Sequence, residues 1–215
     1  MIRTWLLMVG ALATVGFATI VLIVLPQIVV FDVQAPEQLP RYTTTQLAGQ
    51  EVYRREGCVY CHSQQVRDPA FTTDVERGWG SRATVPGDYV YDTPHLLGTM
   101  RTGPDLINVG QRLPDPDWHL VHFYQPRALN AWSIMPAYRF LFREKDPEEL
   151  QPNDRVVRVP PEWVPDGKVV VATPEVLALT DYVISLRRQY PVPLIAGAVC
   201  RSPWDSDGRS IATMP

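Results

Sequence analysis

Cysteine and histidine are scarce in this chain, with three of one and four of the other in 215 residues. Three cysteines cannot build the disulfide framework of a small secreted domain. A structural zinc site needs four ligands, commonly two cysteine pairs, and only Cys58 and Cys61 are closely spaced. Basic runs are absent as well. The 20 Lys+Arg are outweighed by 23 Asp+Glu, a formal charge of -3, and no aromatic-basic stripe points to nucleic acid. The βαβ setting of a thioredoxin-like redox dithiol is missing, and so is any internal repeat. Hydrophobic residues make up 46% and charged residues 20%, which excludes a disordered chain.

The most local absence is of charge. Between Trp5 and Phe31 there is no ionisable side chain, whereas the chain from Asp32 onward reads as a soluble domain. Trp5 to Leu25 as a helix would rise roughly 31 Å, enough to cross the hydrocarbon core. A cleaved signal peptide has an apolar core of about 7–15 residues and a small-x-small site. Here the run is longer, and the one candidate site, Val33-Gln34-Ala35, precedes Pro36. The segment therefore reads as an uncleaved anchor. Arg3 before it and Asp32 after it place the N-terminus in the cytoplasm and the domain outside. Gly10, Thr14 and Ala18 share one face, where small residues would let a neighbouring membrane helix approach. Such residues are also simply common in membrane helices.

The expected division is an anchor over 1–31, a linker over 32–44, one domain over 45–190 and a tail over 191–215. A helix is predicted from Thr43–Thr45 to Glu56, with Leu47, Ala48 and Val52 on its buried side and Gly57 ending it. Residues 63–110 read as mostly loop. Asp115-Pro116 opens a short helix carrying Trp118 to Tyr124. Arg155–Val159 and Lys168–Ala172 suggest a β-hairpin across Asp166-Gly167. Thr173 caps the last helix and Pro174 starts it. Its stripe is Val176, Leu179, Val183 and Leu186, with Arg187 and Arg188 in its final turn.

The chemistry rests on Cys58-Val59-Tyr60-Cys61-His62, the C-x-x-C-H signature of covalent haem c. Two thiols at this spacing can add to the two vinyl groups of one porphyrin edge, and the adjacent histidine reaches the iron. Attachment of this kind takes place on the outer face of the cytoplasmic membrane, in agreement with the orientation from Arg3. A methionine opposite the histidine raises the potential and leaves no open iron position. Candidates are Met100 and Met135, with His95, His119 and His122 for a bis-histidine site. Met135, in Ser133-Ile134-Met135-Pro136, is favoured because it lies between the central and final helices. Met100 precedes Arg101-Thr102-Gly103-Pro104, which reads as a loop on the proximal side. The Pro104 carbonyl there can accept the His62 Nδ1 proton. His119 and His122 share a helix face and suit packing or hydrogen bonding. Arg101 and Arg127 are candidates to neutralise haem propionates. Cys200 reads as an unpaired thiol without a role.

These residues fall into an ordered series: Arg55-Glu56-Gly57-Cys58, Cys61-His62-Ser63-Gln64, Asp74-Val75-Glu76-Arg77, Tyr91-Asp92 with Pro94, and Arg101-Thr102-Gly103-Pro104-Asp105-Leu106. Trp118-His119 with His122, Pro126-Arg127 and Ser133-Ile134-Met135-Pro136-Ala137-Tyr138 close it. The chain resembles the mono-haem subunit (CcoO or FixO) of cbb₃-type, or C-family, haem-copper cytochrome c oxidases. The resemblance implies a mostly α protein: one N-terminal transmembrane helix and a class I cytochrome c domain, here with a small β-hairpin insertion. It implies covalent Cys58 and Cys61, and axial His62 and Met135. Its implied partners are a catalytic subunit with b-haems and copper, which reduces oxygen, and a di-haem cytochrome c subunit or soluble cytochrome c as donor. Calcium at a subunit interface is a further implication. The chain departs from the family at Asn130-Ala131-Trp132, where a proline often precedes the Ser-x-Met-Pro loop. Other readings are the small cytochrome subunit of a nitric oxide reductase, a c-type peroxidase with an open iron, and a free-standing membrane-tethered shuttle.

Overall fold

A computed structural model describes residues 2–31 and 33–192. Cys200 and nearly all of the expected tail lie outside the described residues. The chain forms two compact units. One holds the residues up to Leu39 together with Val85–Asp92, and the other holds Pro40–Thr84 and the chain from Thr93 onward.

The first unit is dominated by the apolar helix, made of α1 (Ile2–Thr19), a π-helical turn at Ile20–Val24 and α2 (Leu25–Phe31). Pro26 explains the wide turn. It has no amide hydrogen for the Leu22 carbonyl, and its ring crowds that carbonyl. One wider turn relieves the clash, and the Leu25 amide donates to Ile20 O, five residues back. Arg3–Ile28 has 26 residues and includes an 18-residue stretch with a mean hydropathy of 2.5 and none of it buried. By length and composition it can cross a membrane. Its threonines suit such a setting, because the Thr14 and Thr19 hydroxyls donate to Gly10 O and Val15 O at 2.9 Å, leaving neither bare in hydrocarbon. The expected linker is not featureless, since Leu39 is buried and its amide donates to Pro36 O at 2.9 Å.

The second unit is mainly helical. In α3 (Thr44–Arg55) the N-cap Thr43 and Gln46 bond reciprocally, satisfying two amides left free at a helix start. Gly57, at φ 73°, takes the left-handed conformation that ends the helix. α3 packs on α6 (Pro174–Ser185), capped by Thr173. The approach is close enough that a Cβ on Gly49 would lie 2.0 Å from Ala178 O. This contact turns α3 away from its expected orientation. Gly49, Gln50, Val52 and Tyr53 are buried, while Leu47 and Ala48 face outward. Gly49→Ala should lower stability by about 1–3 kcal/mol through overpacking. Helix propensity alone would raise it by about 1 kcal/mol. A rise in melting temperature would therefore remove the contact as an explanation.

The predicted stripe of α6 is buried as a whole, Val176, Leu179, Val183 and Leu186 included. Its two arginines lie beyond the helix instead of in its last turn, because α6 stops at Ser185. Arg187 Nε still donates to Ile184 O at 3.1 Å, whereas Arg188 is buried and donates to Tyr42 Oη at 2.8 Å. Two short helices complete the unit, α4 (Val109–Arg112) and α5 (Pro116–Tyr124). The Asp115 carboxylate accepts from the Asp117 amide at 2.9 Å and so caps α5.

The expected hairpin is present as β2 (Arg155–Val157) against β3 (Val169–Ala172), but it belongs to a three-stranded sheet. The added strand, β1 (Phe142–Lys145), pairs antiparallel with the other edge of β3. Phe-Arg-Glu-Lys has little strand propensity, and the buried valines of β3 supply the template. The core joins Val52 and Tyr53 of α3, Leu120, Phe123 and Tyr124 of α5, and Val176, Leu179 and Tyr182 of α6. Cys58, Val59, Leu106, Leu113, Met135 and Tyr138 form a partly buried rim around it.

Candidate functional site

The left-handed Gly57 turns the chain from α3 into a single 3₁₀ turn, Cys58–Tyr60. The Cys61 and His62 amides both donate to Cys58 O, at 3.1 and 2.9 Å, so both thiols and the imidazole emerge from one tight turn. Cys58 sits on the rim of the core and Cys61 is exposed. Burial pushes the Cys58 thiol up to about 12. Redox dithiols and thiolate metal ligands need the opposite shift.

Residues 101–107 form a strap across this turn. His62 Nδ1 lies 2.8 Å from Pro104 O. A proton on Nδ1 leaves Nε2 as the ring nitrogen with a free lone pair. The Gly103 amide donates to Cys61 O at 2.9 Å. A Cβ on Gly103 would lie 2.3 Å from His62 Cε1, so the ring rests directly on the glycine backbone. Burial lowers the pKa of His62, with Pro104 and Asp105 opposing, which favours the neutral imidazole that binds metals.

Behind the strap is a buried polar network. Asp105, with none of its surface exposed, accepts from Ser63 Oγ at 2.6 Å, the Gln65 amide at 2.7 Å and the Ile107 amide at 2.9 Å. Burial raises its pKa, and those three bonds pull the other way. Arg101 lies here too. It donates to Ser63 Oγ at 2.8 Å, Asp74 Oδ1 at 2.5 Å and Gln65 O at 2.6 Å. Burial disfavours the Asp74 anion, but Arg101 and the Arg67 amide outweigh it and hold the carboxyl below the usual range. Arg101 is thus engaged with protein acceptors. Arg127 is exposed in the turn after α5.

The other candidates differ in placement. Met135 is half-buried against the core, whereas Met100 is 59% exposed. His95 is exposed, and His119 is buried with Nε2 at 2.8 Å from Leu113 O. His122 stacks on Trp118 at 4.7 Å, and its buried Nδ1 has no hydrogen-bond partner. Burial, then His119 and His62, lower its pKa to about 4.

The profile of the family described as "Cytochrome C oxidase, mono-heme subunit/FixO" matches residues 2–160. The chain belongs to this FixO family. It is accordingly a cytochrome c oxidase subunit with a part in electron transfer, and the family points to one haem c per chain. No curated protein matches the sequence. The match takes in the apolar helix, the C-x-x-C-H turn, the strap and the Met135 loop.

Three features of the FixO chain fit a haem. The Gly103 surface cradles the imidazole, the rim from Cys58 to Tyr138 is apolar and partly open, and the His122 Nδ1 is a buried polar atom still wanting a partner. Sequence reasoning gave no role to Asp105, Ser63 or Gly103, although all three lie in the stretches that carry the family resemblance. The available signal was their adjacency, because each stands next to a residue singled out for the haem.

Proposed function

We propose that this chain carries one haem c, covalently bound through Cys58 and Cys61 with His62 and Met135 as axial ligands, in a class I cytochrome c domain. The observation that carries the reading is the His62 geometry: Nδ1 lies 2.8 Å from Pro104 O, which leaves Nε2 as the nitrogen with a lone pair for iron. Bound there, a haem would supply reversible one-electron chemistry at iron. The chain's own part is to hold that group. The Cys58–His62 turn presents both thiols together, Pro104 would strengthen the imidazole, and Met135 would supply the second ligand. Arg127 and Arg101 remain propionate candidates in this reading, Arg101 while also tying the strap.

Electrons would pass from a di-haem cytochrome subunit or soluble cytochrome c to the b-haem/copper subunit that reduces oxygen. The helix Arg3–Ile28 would anchor the chain in a bacterial inner membrane, with its N-terminus cytoplasmic and the haem domain on the outer face. FixO membership favours this over a nitric oxide reductase subunit or a free shuttle. Calcium at the subunit interface is carried forward from the family resemblance alone.

The axial assignment has a direct test. The oxidised wild-type chain should show the weak near-infrared band of sulfur-to-iron charge transfer. Met135→Ala should abolish that band and lower the potential, since loss of the thioether favours ferric iron. Loss of the band in Met100→Ala, with Met135→Ala normal, would move the ligand to the other loop.

A further inference from the structure

The 101–107 strap is held by a chain of side chains that reaches well behind His62. Asp74 binds Arg101, Arg101 binds Ser63 Oγ, and Ser63 Oγ donates to Asp105. Ser63 directly follows His62, and Asp105 directly follows Pro104. The two atoms of the His62–Pro104 bond are therefore each one residue from a second bond, Ser63 to Asp105, at 2.6 Å. Backbone bonds extend the clamp on both sides. The Leu106 amide donates to Ser63 O at 2.8 Å, and Asp105 takes the Gln65 and Ile107 amides.

We infer that Asp105 is a positioning residue for the proximal ligand: its carboxylate fixes Pro104 O on His62 Nδ1, and so sets the orientation and donor strength of the imidazole. The inference rests on the reading of His62 as an iron ligand. A buried carboxylate with none of its surface exposed is costly, and three donors converging on it offset that cost. Those donors come from both halves of the clamp, Ser63 and Gln65 on the haem-turn side and Ile107 on the strap. Asp105 itself belongs to the strap, so its bonds tie the two together. Arg101 adds a second tie across the same gap, from the strap to Ser63, Gln65 and Asp74.

The effect on the iron has a definite sign. A carbonyl accepting from Nδ1 makes the ring a stronger donor through Nε2 and stabilises ferric iron. A loosened Pro104 gives a weaker donor and a higher potential. Asp105→Asn is nearly isosteric, but it turns an NH₂ group toward donors that met a carboxylate oxygen before. The strap should shift without leaving a cavity.

The test uses the full-length chain with its covalent haem, in detergent. In Asp105→Asn the potential should shift upward. The His62 Nδ1 proton, followed by NMR in the ferrous state, should exchange with solvent at least about tenfold faster, equivalent to about 1.4 kcal/mol of easier opening. Ser63→Ala keeps both backbone donors to Asp105 and should move both readouts the same way by less. It also serves if Asp105→Asn fails to accumulate. A lower melting temperature with unchanged potential and exchange, in whichever variant folds, would make Asp105 purely structural and overturn the inference. A wild-type chain without covalent haem would sink the haem-carrier reading, and this inference with it. Covalent haem in the wild type beside silent variants would sink this inference alone.

Discussion

The chain with Cys58→Ser and Cys61→Ser is expected to hold no haem that survives denaturation, so peroxidase staining in a denaturing gel should disappear. The effect should be all or none, because thioether bonds are the only link that outlasts loss of axial ligation. Serine is close to cysteine in size, and Cys58 is on the rim of the core while Cys61 is exposed, so the helical framework should persist. Each single variant should keep one thioether and still stain. The raised pKa of Cys58 is consistent with a thiol held neutral and buried until it reacts. Undiminished staining of the double variant would mean that the haem, if any, is attached elsewhere, and the C-x-x-C-H reading would be lost.

Much of this arrangement was legible in the sequence because it is local. Thr43, Gly57, Asp115-Pro116 and Thr173-Pro174 act on their own neighbourhoods, and the helices they bound appear where the caps place them. The apolar helix was readable for the same reason. The errors concern what meets what. The buried side of α3 depended on Gly49 lying against Ala178, some 130 residues away, and no periodicity within α3 reports that partner. β1 was missed because its residues have no strand pattern, and the pairing comes from the second edge of β3, in a hairpin that follows it in sequence.

At the site, the division is similar. The thiols, His62 and the Pro104 carbonyl could be named from spacing and chemistry, since each belongs to a recognisable type. Arg101 has protein partners that the sequence did not show. An arginine near a haem motif suggests a propionate partner, and in the fold the same guanidinium also binds buried Asp74 and Ser63. Only the fold shows that Asp74, 27 residues earlier, comes within 2.5 Å of it. Asp105 escaped for a related reason, because a lone aspartate in a loop usually faces water and this one is enclosed.

Gly103→Ala should disturb His62 directly. The added carbon would lie 2.3 Å from His62 Cε1, 2.7 Å from Nδ1 and 2.9 Å from Nε2. Gly103 is not among the glycines with positive φ, so its backbone conformation is open to alanine and the obstacle is steric. The strap has little room to yield. The Gly103 amide is bonded to Cys61 O, and the next residue supplies the carbonyl that holds Nδ1. Either the strap lifts and breaks the Pro104 bond, or the ring tilts away from its present orientation. Overpacking of this kind costs about 1–3 kcal/mol or more, and each 1.4 kcal/mol is about a factor of ten in occupancy. On the proposed ligation, a substantial share of the chains should lose His62 from the iron while both thioethers remain. The reduced variant should then bind carbon monoxide, which the six-coordinate wild type should not. The gel should still stain for covalent haem. A variant with the wild-type spectrum, no carbon monoxide adduct and an unchanged melting temperature would show that His62 does not stand between Gly103 and an iron.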